Sequence, residues 1–293
     1  MKNFDYFEPS TLEEALKLKK EYGENAKFLA GGTDLFVQMR DKKITPENLI
    51  DLKNIKELTE VKEEEKIVKI GSRVTITQLK DTKLIQDYFP VLSKAASHHG
   101  SEQVRNLATI GGNLCNAAPS NETSPALLTL DAELELVSEA GEIRTILLKD
   151  FITGPSKTNI KNDEILRSIN VPKWTSKNVF VDYERYSTRN QMDIALASAS
   201  VLIELDENKS KIKKANIALG GVAPTPMRLS EELEKELENK ALNEENISKI
   251  AEGASKICNP SGRRLPADYR RQIINVLVKR MLTNIDEGRG TNV

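Results

Sequence analysis

An α+β chain in two domains is what the sequence predicts, on three observations. Two short apolar runs each end in a glycine pair, at Gly31-Gly32 and Gly111-Gly112. A polar, turn-rich stretch over residues 173–178 interrupts a chain whose 293 residues suit two domains, or one with a large appendage. Beyond that stretch the order strand, strand, helix, helix describes a layer with its helices on one face.

The elements follow in chain order. Pro9-Ser10-Thr11-Leu12-Glu13-Glu14-Ala15 reads as a capped helix start, with Leu12, Ala15, Leu16 and Leu18 as its apolar stripe and Gly23 as its stop. Lys27-Phe28-Leu29-Ala30 is a buried strand running into the first glycine pair, and residues 35–40 continue as a helix. Residues 48–52 form another short strand. The mixed charges over 56–66 read as a solvated rim, and Ile67-Val68-Lys69-Ile70-Gly71 as a strand. Thr77 is the expected N-cap of the next helix, and Pro90 stands near the first position of the one after it. Past the second glycine pair, residues 124–130 form a short buried helix. Residues 133–137 and 142–146 alternate at the strand period around Gly141, which is a hairpin, and residues 164–172 make a strand closed by Pro172. In the second region 194–203 and 212–219 are strands, the latter ending in a third glycine pair, Gly220-Gly221. Helices follow over 231–240, 244–257 and 269–282.

Composition excludes several classes. Apolar residues make up 39% and the net charge is −1, which offers nothing to nucleic acid or an anionic membrane. No apolar run approaches the roughly 20 residues that span a bilayer. The first seven residues lack the apolar core of a signal peptide, so the expected location is the cytoplasm. The two cysteines, Cys115 and Cys258, are expected to be buried structural thiols. With no C-x-x-C and only the adjacent histidines His98 and His99, the chain is not expected to hold a metal or an iron–sulfur centre.

The glycine pairs carry the chemistry. Without a Cβ, a ligand can approach the backbone, and successive N–H groups can turn toward one anion. Thr33 and Asp34 follow the first pair; Thr109 and Asn113 flank the second. Neither stretch matches the P-loop or the G-x-G-x-x-G fingerprint. Two loops of one plan suggest a single extended, doubly anionic ligand held from two sides, such as a diphosphate.

Ala30-Gly31-Gly32-Thr33-Asp34 and Thr109-Ile110-Gly111-Gly112-Asn113 resemble the two FAD-binding loops of the flavoprotein subunit of molybdenum hydroxylases. That group includes the medium subunits of xanthine, carbon monoxide and nicotinate dehydrogenases. The resemblance runs nearly end to end, through Phe7 to Ala15, Asp163-Glu164-Ile165-Leu166 with Val171-Pro172, Gly220 to Arg228, and Tyr269-Arg270-Arg271. It implies a two-part FAD-binding domain of the vanillyl-alcohol-oxidase (PCMH) type over 1–175, with parts at about 1–55 and 56–175. A smaller α+β C-terminal domain of the carbon monoxide dehydrogenase type would cover 179–285.

The resemblance also implies a site. It carries over Leu29, Ala30, Gly31, Gly32, Thr33, Asp34, Leu35 and Phe36 from the first loop, and Ile110, Gly111, Gly112, Asn113 and Leu114 from the second, with Thr109 as a hydroxyl donor. Ser101 and Glu122 match cofactor contacts. Ile165 or Leu166 would pack on the adenine side with His99 as an opposite wall, and Arg185 would lie near the flavin. Two departures stand out. Ser261-Gly262-Arg263-Arg264 replaces the family's Ser-Asp-x-Arg, which puts any salt bridge there in doubt. Two cysteines also cannot supply the cysteine-rich loop of the hydroxybenzoyl-CoA reductase branch.

The implied function is electron transfer. A molybdopterin large subunit would hydroxylate the substrate, a small subunit with [2Fe–2S] centres would pass on electrons, and FAD here would deliver them to NAD+ or another acceptor. No residue is expected to act as a general base. The alternatives are a stand-alone FAD-dependent oxidase of the same fold and a flavin-free scaffold subunit.

Overall fold

The computed structural model describes residues 2–189, 192–262 and 264–293; Met1, and Arg263 of the departing Ser261 to Arg264 stretch, lie outside the described residues. The chain opens with a three-stranded parallel sheet in which Asn48–Asp51 lies between Asp5–Phe7 and Ala26–Leu29. Parallel neighbours require crossovers, and the helices Leu12–Tyr22 and Leu35–Arg40 supply them. Thr11 caps the first helix by accepting from Glu14 N–H, and the Glu14 carboxylate accepts from Ser10 N–H. At its far end Lys19 Nζ donates to the carbonyls of Gly23 and Ala26, at 2.6 and 2.9 Å, which fastens the helix to the next strand.

A five-stranded antiparallel sheet follows, ordered Val61–Glu63, Ile67–Gly71, Glu164–Pro172, Glu133–Ser138, Ile143–Leu147. Its inward residues, among them Val68, Ile70, Leu134, Leu136 and Ile169, share a core with short helices from Ile76–Asp81 to Thr123–Thr129. The first of these is capped by Thr75 and not by Thr77. Thr75 accepts from Gln78 N–H while Gln78 reaches back to Thr75 N–H, so the reciprocal pair sets the start.

The third sheet is antiparallel, ordered Met227–Arg228, Ile212–Gly220, Ala197–Leu205, Val179–Tyr186, Thr291–Asn292. Ala197, Ala199, Val201 and Ile203 pack against the helices Glu244–Lys256 and Ala267–Asp286. Val179, Val181, Tyr183, Leu202 and Ala218 belong instead to the core of the second sheet and its helices. The sheet is therefore covered on both faces, by its own helices and by Pro90–Ser97 and Thr123–Thr129. Thr129 and Ser200 hydroxyls meet at 2.9 Å, and Asn216 Nδ2 donates to Thr129 O at 2.7 Å across this contact.

Several boundaries differ from expectation. Val179–Tyr186 is a strand that the pattern did not predict, and the strand expected from Ile194 begins at Ala197, with Ile194 exposed. The helix expected over 231–240 ends at Lys235. The third glycine pair packs structurally: a Cβ at Gly220 would lie 2.9 Å from Pro125, and Arg270 donates to the Gly221 carbonyl. No helix among the described residues is long and apolar enough to cross a membrane.

Candidate functional site

The two glycine loops, 80 residues apart in sequence, meet through backbone. The Ala26–Leu29 strand ends where Leu29 O accepts from Leu52 N–H at 2.9 Å, and the chain then turns through Gly31 and Gly32. A Cβ on Gly31 would sit 2.0 Å from the Leu107 carbonyl oxygen, so only glycine allows this loop to touch the segment ahead of the second pair. Gly32 takes φ +71, which few side chains tolerate. On the other side, Gly111 N–H donates to Ser72 O at 2.8 Å, and a Cβ there would lie 2.6 Å from that oxygen. Gln38 Nε2 donates to Asn116 Oδ1 at 3.2 Å and ties the two loop helices together.

Between the loops lies a cleft of two adjoining cavities, about 490 and 320 Å³, which share Lys27, Phe28, Ala30, Gly112 and Cys115 as walls. Gly31, Gly32, Thr33, Asp34 and Leu35 line the first with Thr109 and Asn113. The backbone N–H groups of Gly31, Gly32, Thr33 and Asp34 find no acceptor among the described residues. Polar backbone left in that state needs water or a ligand. Gly112 turns an open face to the gap: a Cβ there would meet nothing within 4 Å except Thr109 Oγ1, at 2.9 Å. A glycine wall opposite unpaired N–H groups fits a diphosphate. A larger cavity of about 600 Å³ lies elsewhere, around Asp131 and Arg228. There Arg228 is already bound by Asp131, Asn216 and Glu234, so its charge is closed on itself.

The expected site residues divide into groups. Ala30, Gly31, Gly32, Thr33, Asp34, Leu35, Thr109, Gly111, Gly112 and Asn113 line the cleft. Thr109 Oγ1 accepts from Gly112 N–H at 3.1 Å, which leaves its hydroxyl proton free to donate. The Asn113 side chain braces the following loop by accepting from Thr123 Oγ1 at 2.8 Å. Leu29, Ile110 and Leu114 are buried in the core and can offer only backbone. Phe36 is exposed, its ring against Gly32. Ser101 caps the Glu102–Leu107 helix and lines neither cavity.

Three expectations are corrected. Ile165 and Leu166 line the second cavity but His99 lines the first, so His99 is not their opposite wall. Its buried Nδ1 has no partner, and burial pulls the imidazole down to about 4, keeping it neutral at pH 7. Cys115 is exposed and lines both cavities, while Ile110 and Leu114 form the buried face of its helix. Cys258 is buried as expected. The Ser261 to Arg264 stretch does form an ion pair, Arg264 with Asp193 at 3.0 Å.

Glu122 and Arg185 line neither cavity. They pair with each other at 3.2 Å, both side chains buried, where the start of the Thr123–Thr129 helix meets the third sheet. Tyr183 hydroxyl donates to Glu122 Oε2, while Arg185 donates to the carbonyls of His98 and Asp193 at 2.9 and 2.6 Å. Burial pushes the Glu122 carboxyl up to about 7, against the pull of Arg185 and Tyr183. The folded chain then holds a proton that the unfolded chain releases near 4.5. This group's contribution to stability is therefore greatest below 4.5, falls as pH rises toward 7, and is flat above it. Glu122→Gln should remove that slope. The check is the melting temperature of wild type minus variant at intervals from pH 4.5 to 8.

Comparison with known proteins agrees with this geometry. A family model described as the FAD binding domain in molybdopterin dehydrogenase matches residues 2–174, and one described as the CO dehydrogenase flavoprotein C-terminal domain matches 183–285. The xanthine dehydrogenase FAD-binding subunit of Escherichia coli is 32% identical over 280 residues, covering 95% of this chain and 94% of the relative. The carbon monoxide dehydrogenase medium chain of Hydrogenophaga pseudoflava is also 32% identical over 280 residues, covering 95% and 96%. A solved structure of carbon monoxide dehydrogenase from the same organism superposes with a TM-score of 0.92 at 31% identity, over 99% of both chains. The glycine-walled cleft and the matches along nearly the whole chain lead to one conclusion: this chain belongs to the family of FAD-binding medium subunits of the molybdenum hydroxylases.

Proposed function

We propose that the chain holds FAD with its diphosphate between the two glycine loops, and relays electrons from [2Fe–2S] centres on a small partner subunit to NAD+ or another acceptor. The large partner would carry molybdopterin and hydroxylate the substrate, and the assembly would work in the cytoplasm. The observation that carries the reading is the set of four unpaired N–H groups, Gly31 to Asp34, across a gap from the open face of Gly112. Bound flavin supplies the redox chemistry, exchanging electrons in pairs or singly. The chain's own residues bind and orient. The Gly31 to Asp34 amides and the Thr109 hydroxyl would donate to diphosphate oxygens, and Ile165 and Leu166 would take an apolar ring face in the second cavity. Ser101, Glu122 and Arg185 support the site from behind by capping and by the buried ion pair. Domains over 1–175 and 179–285 accord with this division of labour.

The purified chain should be yellow or should acquire a bound-flavin spectrum on adding FAD. A folded, colourless chain that ignores FAD would count decisively against the reading. Iron and molybdenum co-purifying with neighbouring chains is expected of a subunit, and their absence from a flavin-replete, active protein would point to a free-standing oxidase.

A further inference from the structure

The second cavity is lined by four cations, Lys19, Lys27, Arg73 and Lys161, and two of them, Lys19 and Arg73, are fixed in place by hydrogen bonds to backbone carbonyls. Lys19 is buried and spends two of its three N–H donors on the Gly23 and Ala26 carbonyls. Arg73 donates from Nη1 to Leu52 O at 3.0 Å, and its buried Nε–H has no acceptor. Neither forms an ion pair among the described residues. The one carboxylate lining this cavity, Glu164, is held by Arg144 at 2.9 and 2.7 Å. A buried guanidinium donor is costly to leave unmade. Arg73 is also rigidly placed. Gly71 lets the turn close to 2.3 Å from Leu58 O, measured to a Cβ built there, and Arg73 N–H donates to Leu58 O at 2.7 Å. Ser72, beside it, receives Gly111 N–H from the second glycine loop.

The cavity opens into the glycine cleft and shares its walls at Phe28, Ala30 and Gly112. Whatever anchors a diphosphate in the cleft can extend one arm here. That arm meets apolar faces at Phe28, Ile165 and Leu166, and unspent donors at Arg73 and Lys19. Adenosine has this character, with flat apolar faces and a rim of ring-nitrogen and ribose acceptors. We propose that Arg73, with Lys19 behind it, selects the AMP half of FAD, its guanidinium donating to an acceptor on the adenosine or its phosphate. The proposal rests on the chain binding FAD at the glycine loops, and it adds the residues that make the site prefer a dinucleotide to FMN.

The test titrates the full chain, freed of flavin, with FAD, FMN and ADP in a calorimeter. Wild type should bind ADP and hold FAD at least about 100-fold tighter than FMN. Arg73→Met should weaken FAD and ADP by about 10- to 100-fold, the usual loss when a charged donor is removed, and leave FMN unchanged. Arg73→Lys, which keeps the charge, should lose less than Arg73→Met. A folded Arg73→Met that binds ADP like wild type overturns the proposal while leaving FAD binding intact. So does a wild type that binds FMN as tightly as FAD, a comparison needing no variant. Wild type that binds neither flavin overturns the underlying reading and the proposal with it. If Arg73→Met does not fold, Arg73→Lys and the FAD-to-FMN ratio decide.

Discussion

Gly112→Leu should give a folded protein that no longer holds flavin, its FAD affinity lowered by about 100-fold or more. The position is helical, and a Cβ there meets only Thr109 Oγ1. Replacing glycine inside a helix gains about 1 kcal/mol. Disturbing the Thr109 cap, which accepts from Gly112 N–H, costs a similar amount. The two roughly cancel, so the melting temperature of the flavin-free chain should change little. What changes is the gap, because the leucine side chain projects into both cavities, where the diphosphate would lie. Absorbance per chain after incubation with FAD, beside a melting curve, reads both effects. A stable Gly112→Leu carrying full flavin would place the cofactor elsewhere.

That glycine was legible because a pair closing an apolar run is a local signal. Other features were legible only in part. Thr75 and Thr77 both precede apolar residues, but only Thr75 has a glutamine three positions on, and this spacing marks the capping residue. Val179–Tyr186 escaped because it is covered on both faces: Phe180 packs toward the C-terminal helices while Val179, Val181 and Tyr183 face the other core. The polar–apolar alternation there is confined to Val181 through Glu184, because Val179-Phe180 before it is continuously apolar and Glu184-Arg185 after it breaks the period. Cys115 looked buried by residue type, yet helical geometry puts Ile110 and Leu114 together on the buried face and turns Cys115 about 100° away from Leu114, toward the cavities. The basic second cavity had no signal at all. Lys19 and Arg73 come from separate elements, and their shared wall exists only once the first sheet packs against the second. The Glu122–Arg185 pair, 63 residues apart, is likewise a product of packing, of the Thr123–Thr129 helix on the third sheet.

Gly31→Ala should fail in the opposite way to Gly112→Leu, through the fold itself. The added Cβ would lie 2.0 Å from the Leu107 carbonyl oxygen, 2.7 Å from its carbon and 3.0 Å from Ala108 Cα. All three are backbone atoms, so no rotamer change relieves the overlap and one loop must move off the other. Overpacking of this kind costs about 3 kcal/mol. In a chain of this size that is a fall in melting temperature of roughly 6 °C or more. The contact also sets the width of the cleft: Ala108 O accepts from Ile76 N–H next to it, so displacing Leu107 and Ala108 shifts the start of the Ile110–Asn116 helix. Flavin affinity should therefore fall together with stability, and saturating FAD should recover part of the lost melting temperature, because a ligand of the folded state stabilises by mass action. The Leu107 side chain points out to solvent at 61% exposure, so Leu107→Ala should be nearly silent on both counts. If Gly31→Ala melts like wild type while Leu107→Ala does not, the loops do not meet through the Leu107 backbone, and the cleft would not have the shape on which the flavin site depends.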